Sequence, residues 1–326
     1  MMENKYYDLV LKWAPINYQY IRLDEDNDYY QTKKDLLCPV NLDCYSKNDS
    51  DSNECWDTTN MRKRLSKTKI ENLVPVCYYA VSETESHYFV LYSFYHADDD
   101  THPNDMEGCL IILEKQDGNE ELLGMITVAH LDFWKYTYKN NLLKISGEKF
   151  DKDEQLETDD DLESAHPLIQ QEEGKHGLYA LGTKINVGTK IVRWFLAVLN
   201  MSADVVVYYP GRKAIAYSVE RLKKGKDTPY DPSFYYELID IIDERQGLLK
   251  RWEKRPNETF TKDGKFYGES ANPPWLWKPG FEIQSDSKEI GLMWSDPAKL
   301  ARESFRPASG RKEFSVRYIR QLPIPK

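Results

Sequence analysis

The sequence predicts a mainly β protein, an antiparallel β-sandwich with peripheral helices and long loop insertions, and three observations carry that expectation. Four apolar runs of strand length, 76–81, 88–94, 109–113 and 123–128, follow one another and are rich in Val, Ile, Tyr and Phe, which suit a pleated, half-buried surface. The connections are mostly short, and Gln116-Asp117-Gly118-Asn119 is a hairpin turn by composition, because Asp-Gly accepts the positive dihedrals such turns need. Successive strands joined in this way pair antiparallel. Aromatic residues reach 13%, with 23 Tyr and 8 Trp, which fits strands and equally a surface that stacks on sugars or bases.

In chain order, 6–20 reads as an entry segment in which Leu9, Leu11 and Trp13 alternate with polar positions until Ala14-Pro15. The acidic stretch 24–30 and the Asp-, Asn-, Ser- and Lys-rich region to about residue 69 predict long, irregular surface structure. The four strands follow. The acidic run 151–163 fails as an EF-hand loop, since Leu156 and Leu162 stand where Gly and Glu are needed, and reads as a solvated loop. Residues 166–179 read as strand, turn and second His-bearing strand, whereas the apolar run 191–199 cannot be assigned from periodicity. The run 204–209 is a strand closed by Pro210-Gly211. Asp231 and Pro232 then predict the start of a helix with Phe234, Leu238, Ile241, Ile242, Leu249 and Trp252 on one face. Asn272-Pro273-Pro274-Trp275-Leu276-Trp277 is a rigid aromatic segment, and 313–319 a last strand. The expected organisation is one domain over 1–326, with insertions at about 24–70 and 148–173 and a helical or irregular extension over about 231–326.

A formal charge of -10 argues against general nucleic-acid binding, which needs a basic face. Cys38, Cys44, Cys55, Cys77 and Cys109 form no C-x-x-C pair, so neither a zinc ribbon nor a complete disulfide framework is expected; Cys77 and Cys109 read as core residues, and a Cys44–Cys55 bridge stays open. No secretory signal and no membrane span is evident, which predicts a soluble chain, cytoplasmic by default, with secretion by another route left open.

The chemistry concentrates between two strands, in 95–108, which holds two histidines, five carboxylates and an asparagine. Asp105 and Glu107 share a strand face, His102 can fold back to them, and Asp98 or Asp99 can close the group from the preceding strand. Three carboxylates and an imidazole suit a hard divalent cation, Mg²⁺ or Ca²⁺ first and Mn²⁺ next. By the same reasoning His96, His130 and His166 are structural, and His87 is exposed.

Thr101-His102-Pro103-Asn104-Asp105-Met106-Glu107-Gly108 resembles the Gly-His-Arg-His-Asp-Trp-Glu heptapeptide of the necrosis- and ethylene-inducing-like protein family, and also the His-x-x-Asp-Trp-Glu element of the related vacuolar-protein-sorting-associated family. Leu11-Lys12-Trp13-Ala14-Pro15 is similar to the start of those proteins, and Gly174-Lys175-His176-Gly177-Leu178-Tyr179 to their downstream His-Gly-Tyr strand. The resemblance implies a β-sandwich with one metal ion in an edge cavity, held by Asp98 (or Asp99), His102, Asp105 and Glu107, with His176 lining it. Thr101, Pro103, Asn104 and Met106 depart from the family pattern at positions that are not ligands.

Three functions follow as expectations. The first is a metal-dependent pocket for a glycan or lipid headgroup, extended to a toxin-like module at a membrane surface, with Trp275 and Trp277 as an interfacial element. The second is a metal-assisted hydrolase with His176 as candidate base. The third is an interaction scaffold whose acidic cluster only fixes two loops.

Overall fold

The computed structural model describes residues 5–24, 26–42, 56, 58–129, 132–138, 142–145, 158–159, 166–183, 204–224, 233–243, 247–254, 272–276, 282–283 and 288–324. Its strands are β1 (Ile16–Ile21), β2 (Val76–Thr84), β3 (His87–Asp98), β4 (Pro103–Gln116), β5 (Asn119–Ala129), β6 (Asp132–Thr137), β7 (Leu143–Ile145), β8 (Thr158–Asp159), β9 (His166–Gln171), β10 (Leu178–Ala180), β11 (Asp204–Gly211), β12 (Ser233–Asp240), β13 (Glu282–Ile283), β14 (Lys288–Glu289), β15 (Phe305–Pro307) and β16 (Tyr318–Arg320). Three short helices precede the central strands, α1 (Tyr7–Trp13), α2 (Tyr30–Asp35) and α3 (Met61–Lys67).

Twelve of these strands form one sheet with the path β10-β9-β1-β11-β12-β2-β3-β4-β5-β6, to which β16 adds along β2 and β8 along β9. The stretch β2 to β6 is an antiparallel meander, as the hairpin connections require. The simple antiparallel sandwich is corrected, however. The pairs β1·β9, β11·β12 and β12·β2 are parallel, and the sheet curls until its two ends meet. Trp134 of β6 packs edge-on against Tyr179 of β10 at 5.2 Å, and the Thr183 hydroxyl donates to Tyr136 at 3.1 Å, giving a nearly closed, barrel-like form.

Strands β2 to β5 are buried on both faces over most of their length, because α2 and α3 cover β3 outside while the curled sheet encloses it inside. This explains their continuous apolar runs in place of strict alternation. It also accounts for many tyrosines. Tyr78, Tyr92, Tyr208, Tyr217 and Tyr236 are fully buried and each hydroxyl has a partner: Tyr92 donates to Val10 O at 2.7 Å and Tyr236 to Pro15 O at 2.6 Å, while Tyr78 accepts from Val40 N at 3.0 Å. Their hydroxyls tie helix α1 and the flanking loops to the sheet where Phe could not.

Several local expectations change. Residues 6–20 are not one extended segment, because α1 occupies Tyr7–Trp13 before β1. The region expected to be irregular carries α2 and α3. The helix expected from Asp231 is instead β12 followed by a helix at Leu248–Lys254; Phe234, Tyr236 and Leu238 are buried with period two, and parallel neighbours on both sides supply the pairing. Cys38, Cys77 and Cys109 are buried free thiols. Cys44, Cys55, His130, Trp277 and residues 191–199 lie outside the described residues. Trp275 is buried and meets Trp294 edge-on at 6.0 Å, so it packs inward. Among the described residues no helix is long and apolar enough to cross a membrane.

Candidate metal centre

The register of β3 on β4 sets His96 opposite Asp105 and Phe94 opposite Glu107, so both carboxylates lie on one face while Met106 is buried on the other. Between these strands Asp99 N donates to His102 O at 2.8 Å, and that tight turn brings the Asp99 side chain inward. The fourth contributor comes from far along the chain. Residues 172–177 turn back between β9 and β10, with His176 in the left-handed region at φ 57°, a conformation uncommon for a residue with a Cβ. Gly174 makes this turn fit. Its φ is 74°, and a Cβ there would sit 2.4 Å from Asp100 Oδ2, while its N–H donates to Asp35 at 2.8 Å and its carbonyl accepts from Asp100 N at 2.9 Å.

Asp99, Asp105 and His176 thus offer ligand atoms all within 4.8 Å of one another, and all three residues are buried. His176 Nδ1 is 2.8 Å from Asp105 Oδ2, and Nε2 lies 3.7 Å from Asp35 Oδ1. The ring stacks on His96 at 3.8 Å with 6° between planes. Burial disfavours charge on His176, but the carboxylates of Asp105 and Asp35 outweigh it and push its pKa up to about 9. His96 goes the other way, held well below its ordinary value by burial and then by the His176 charge.

The carboxylates divide into satisfied and unsatisfied. Asp35 is clamped by Arg22, Nε to Oδ2 at 2.9 Å and Nη2 to Oδ1 at 2.8 Å, so although burial opposes its ionisation, His176 and Arg22 hold its pKa below the usual value. Asp99 Oδ1 accepts from both the N–H and the hydroxyl of Thr101 at 2.6 Å, which likewise outweigh burial and lower its pKa. Asp105 Oδ1 and Glu107 Oε2, by contrast, are buried with no hydrogen-bond partner among the described residues. Burial, and then the charges of Asp105, Glu172 and Asp99, raise the Glu107 pKa well above its ordinary value, which favours the protonated form in the free site.

Of the residues expected as ligands, Asp105 lies in the cluster and Glu107 beside it. His102 Nε2 is 3.8 Å from Asp99 Oδ1, with its side chain 14% exposed at the rim. The structure places Asp98 elsewhere: Oδ1 accepts from Arg62 Nε at 2.7 Å and Oδ2 from the Tyr30 hydroxyl at 2.9 Å. The adjacent Asp99 takes the inward position. Asn104 is structural, accepting from the Tyr95 hydroxyl at 2.7 Å and donating to Thr58 O at 3.1 Å. His166 opens β9 with Nδ1 2.7 Å from Ala14 O. Asp35 was not anticipated, since one Asp in a polar region carries no sequence signal.

A divalent cation fits this donor set. Orphaned carboxylate oxygens in a buried, net-negative pocket are costly unless a positive charge joins them, and oxygen ligands with one imidazole suit a hard or borderline ion. In the free site Asp105 and Asp35 keep a proton on His176, with Nδ1 held against Asp105; a bound cation would displace that proton, because a ligating imidazole is neutral.

No protein-family model and no curated protein matches the chain. A solved structure with partial similarity is the crystal structure of the non-toxic HaNLP3 protein, 14% identical and covering 30% of this chain and 51% of that one, with a TM-score of 0.19. This chain spans about half of that protein's length, and at so low a score the likeness carries no argument about the site.

Proposed function

We propose that this chain is a divalent-cation-binding β protein in which Asp99, Asp105, Glu107 and His176 hold the ion and the rim beside them receives a glycan or lipid headgroup. The observation that supports it is the pair of buried, unpartnered oxygens, Asp105 Oδ1 and Glu107 Oε2, beside Asp99 and His176. Mg²⁺ or Ca²⁺ fits the oxygen-rich set best and Mn²⁺ also fits. A bound ion of this kind would supply a charge to which ligand hydroxyl or phosphate oxygens can add. Around it, His102 and Lys175 stand at the rim, with the Lys175 side chain 40% exposed and its Nζ 3.1 Å from Thr101 Oγ1 and 3.4 Å from Asp99 Oδ1. These groups donate hydrogen bonds, as recognition of a polyhydroxyl or phosphate group requires. A toxin-like action on membranes is the furthest extension of this reading.

The test is binding to a glycan panel and to liposomes before and after EDTA, with the ion then restored. Binding is expected to vanish on chelation and return with the ion; binding indifferent to EDTA would refute the proposal. An Asp105→Ala, Glu107→Ala double variant that melts earlier yet binds normally would reduce the cluster to a loop-fixing role.

A further inference from the structure

His87 opens β3 at the opposite end of the strand from the candidate metal centre, and it is fully buried rather than exposed as the sequence suggested. The cover comes from the C-terminal segment. Phe314 lies over the imidazole at a tilt of 42° with centroids 4.6 Å apart and also meets Phe89 at 6.4 Å. Ser86 pins the same segment from both sides, donating to Glu313 O at 3.1 Å and accepting from Ser315 N at 3.0 Å, while its Oγ lies 2.7 Å from His87 Nδ1.

Charges fasten the segment on either side. Arg311 reaches Glu114 at 2.8 Å and Glu121 at 2.6 Å, Lys312 N donates to the other Glu114 oxygen at 2.6 Å, and Lys312 Nζ donates to Lys115 O. Arg317 O accepts from Glu85 N at 3.1 Å, and β16 then pairs with Thr84 and Glu83 of β2. Over 305–326 the basic residues are Arg306, Arg311, Lys312, Arg317, Arg320 and Lys326 and the acidic one is Glu313, a net of six minus one, or +5, in a chain of -10. The basic segment lies on an acidic edge of the sheet.

We propose that residues 311–320 are a detachable strap, seated on the β2–β3 turn and β4 while His87 is neutral and released when His87 takes up a proton.

With the single Ser86 hydroxyl proton donated to Glu313 O, His87 Nδ1–H donates to Ser86, and an added proton goes to Nε2. That nitrogen is buried and has no hydrogen-bond partner among the described residues. The groups facing the ring offer no relief. Lys312 on the strap and Lys115 on β4 are cations, and Glu114, directly across from His87, already accepts from Arg311, Lys312 N and Gln116. On the turn, Glu85 is engaged by Arg317, and the Glu313 carbonyl is engaged by Ser86. If Glu114 turns to the new imidazolium, it leaves the strap. Burial, with the charges of Lys312 and Lys115, pulls the His87 pKa down from 6.5 to about 4. Release restores the ordinary value, so between pH 7 and pH 5 the docked-to-released ratio falls about 20-fold. Release uncovers the Phe89 face and the edge of β2 at Glu83 and Thr84.

The experiment is hydrogen exchange of the full chain at pH 7 and pH 5, with rates corrected for the intrinsic effect of pH. It compares strap amides with amides of β4 in the wild type, His87→Phe, His87→Gln and Phe314→Ala. Wild-type strap protection is expected to fall about 20-fold at pH 5 while β4 stays protected. The His87 variants lose that pH dependence, and Phe314→Ala exposes the strap already at pH 7. Unchanged wild-type protection would overturn the proposal. So would an equal loss in the His87 variants, which would assign release to Glu85, Glu114 or Glu313. The outcome is independent of the metal reading, since neither His87 nor the strap touches the cluster.

Discussion

Two histidines buried at opposite ends of the central sheet, His176 and His87, are given opposite charge. His176 and His87 are both fully buried, and burial alone would make both neutral. At His176 the carboxylates of Asp105 and Asp35 reverse that and push the pKa up to about 9. At His87 the neighbouring charges are Lys312 and Lys115, and they add to burial, giving about 4. The charge of a buried imidazole is therefore set by its partners. One end is built to keep a positive charge inside, the other to exclude one.

The largest test of this contrast is removal of the two side chains. His176→Leu leaves Asp35 and Asp105 facing each other in a buried site, which is expected to cost about 3–5 kcal/mol. His87→Phe retains packing under Phe314 and is expected to stay within about 1.5 kcal/mol at pH 7. Urea midpoints measure both; equal losses would break the comparison.

Next comes pH, where the two ends act with opposite sign. The folded value of His176 lies above the unfolded one, so in chelator its contribution is full below about 6.5 and is lost as pH rises through about 9. The folded value of His87 lies below, so its contribution is full above about 6.5 and is lost as pH falls towards about 4, by at most about 3 kcal/mol. Urea melts at pH 5, 7 and 9.5 are expected to show the acid loss absent in His87→Phe and the alkaline loss absent in His176→Leu.

The smallest expected effect is Glu107→Gln. Because burial and the neighbouring carboxylates favour the protonated form of Glu107 in the free site, the amide is expected to change stability in chelator by less than about 1 kcal/mol, while removing the gain in melting temperature that added cation gives the wild type. A large loss in chelator would mean that Glu107 is ionised and paired.

How much of this was legible in the sequence depends on how local the cause is. Strands β2 to β5 were readable because their apolar runs and the Asp117-Gly118 turn act over a few residues. The strand β12 was not, because the Asp231-Pro232 signal favours a helix and only the neighbours β11 and β2 override it. Two of the three parallel pairs that turn a sandwich into a barrel-like sheet, β1·β9 and β12·β2, join segments far apart in the chain and leave no local mark. In the cluster, Asp105 and Glu107 followed from strand alternation. The contact of His176 with Asp105 spans 71 positions and was reached only through the motif resemblance. Choosing between Asp98 and Asp99 required the tight turn at His102 and the competing pull of Arg62 and Tyr30. His87 looked exposed because the strap that buries it lies more than 200 residues away, with Ser86 and Glu313 separated by 227.

Titration of chelator-stripped protein with Ca²⁺, Mg²⁺ and Mn²⁺ by calorimetry, with Asp105→Asn and Glu107→Gln beside the wild type, tests the central claim most directly. The expected result is one ion per chain in the wild type and affinity at least about tenfold weaker in each variant. No bound ion in the wild type, or unchanged affinity in both variants, would contradict it.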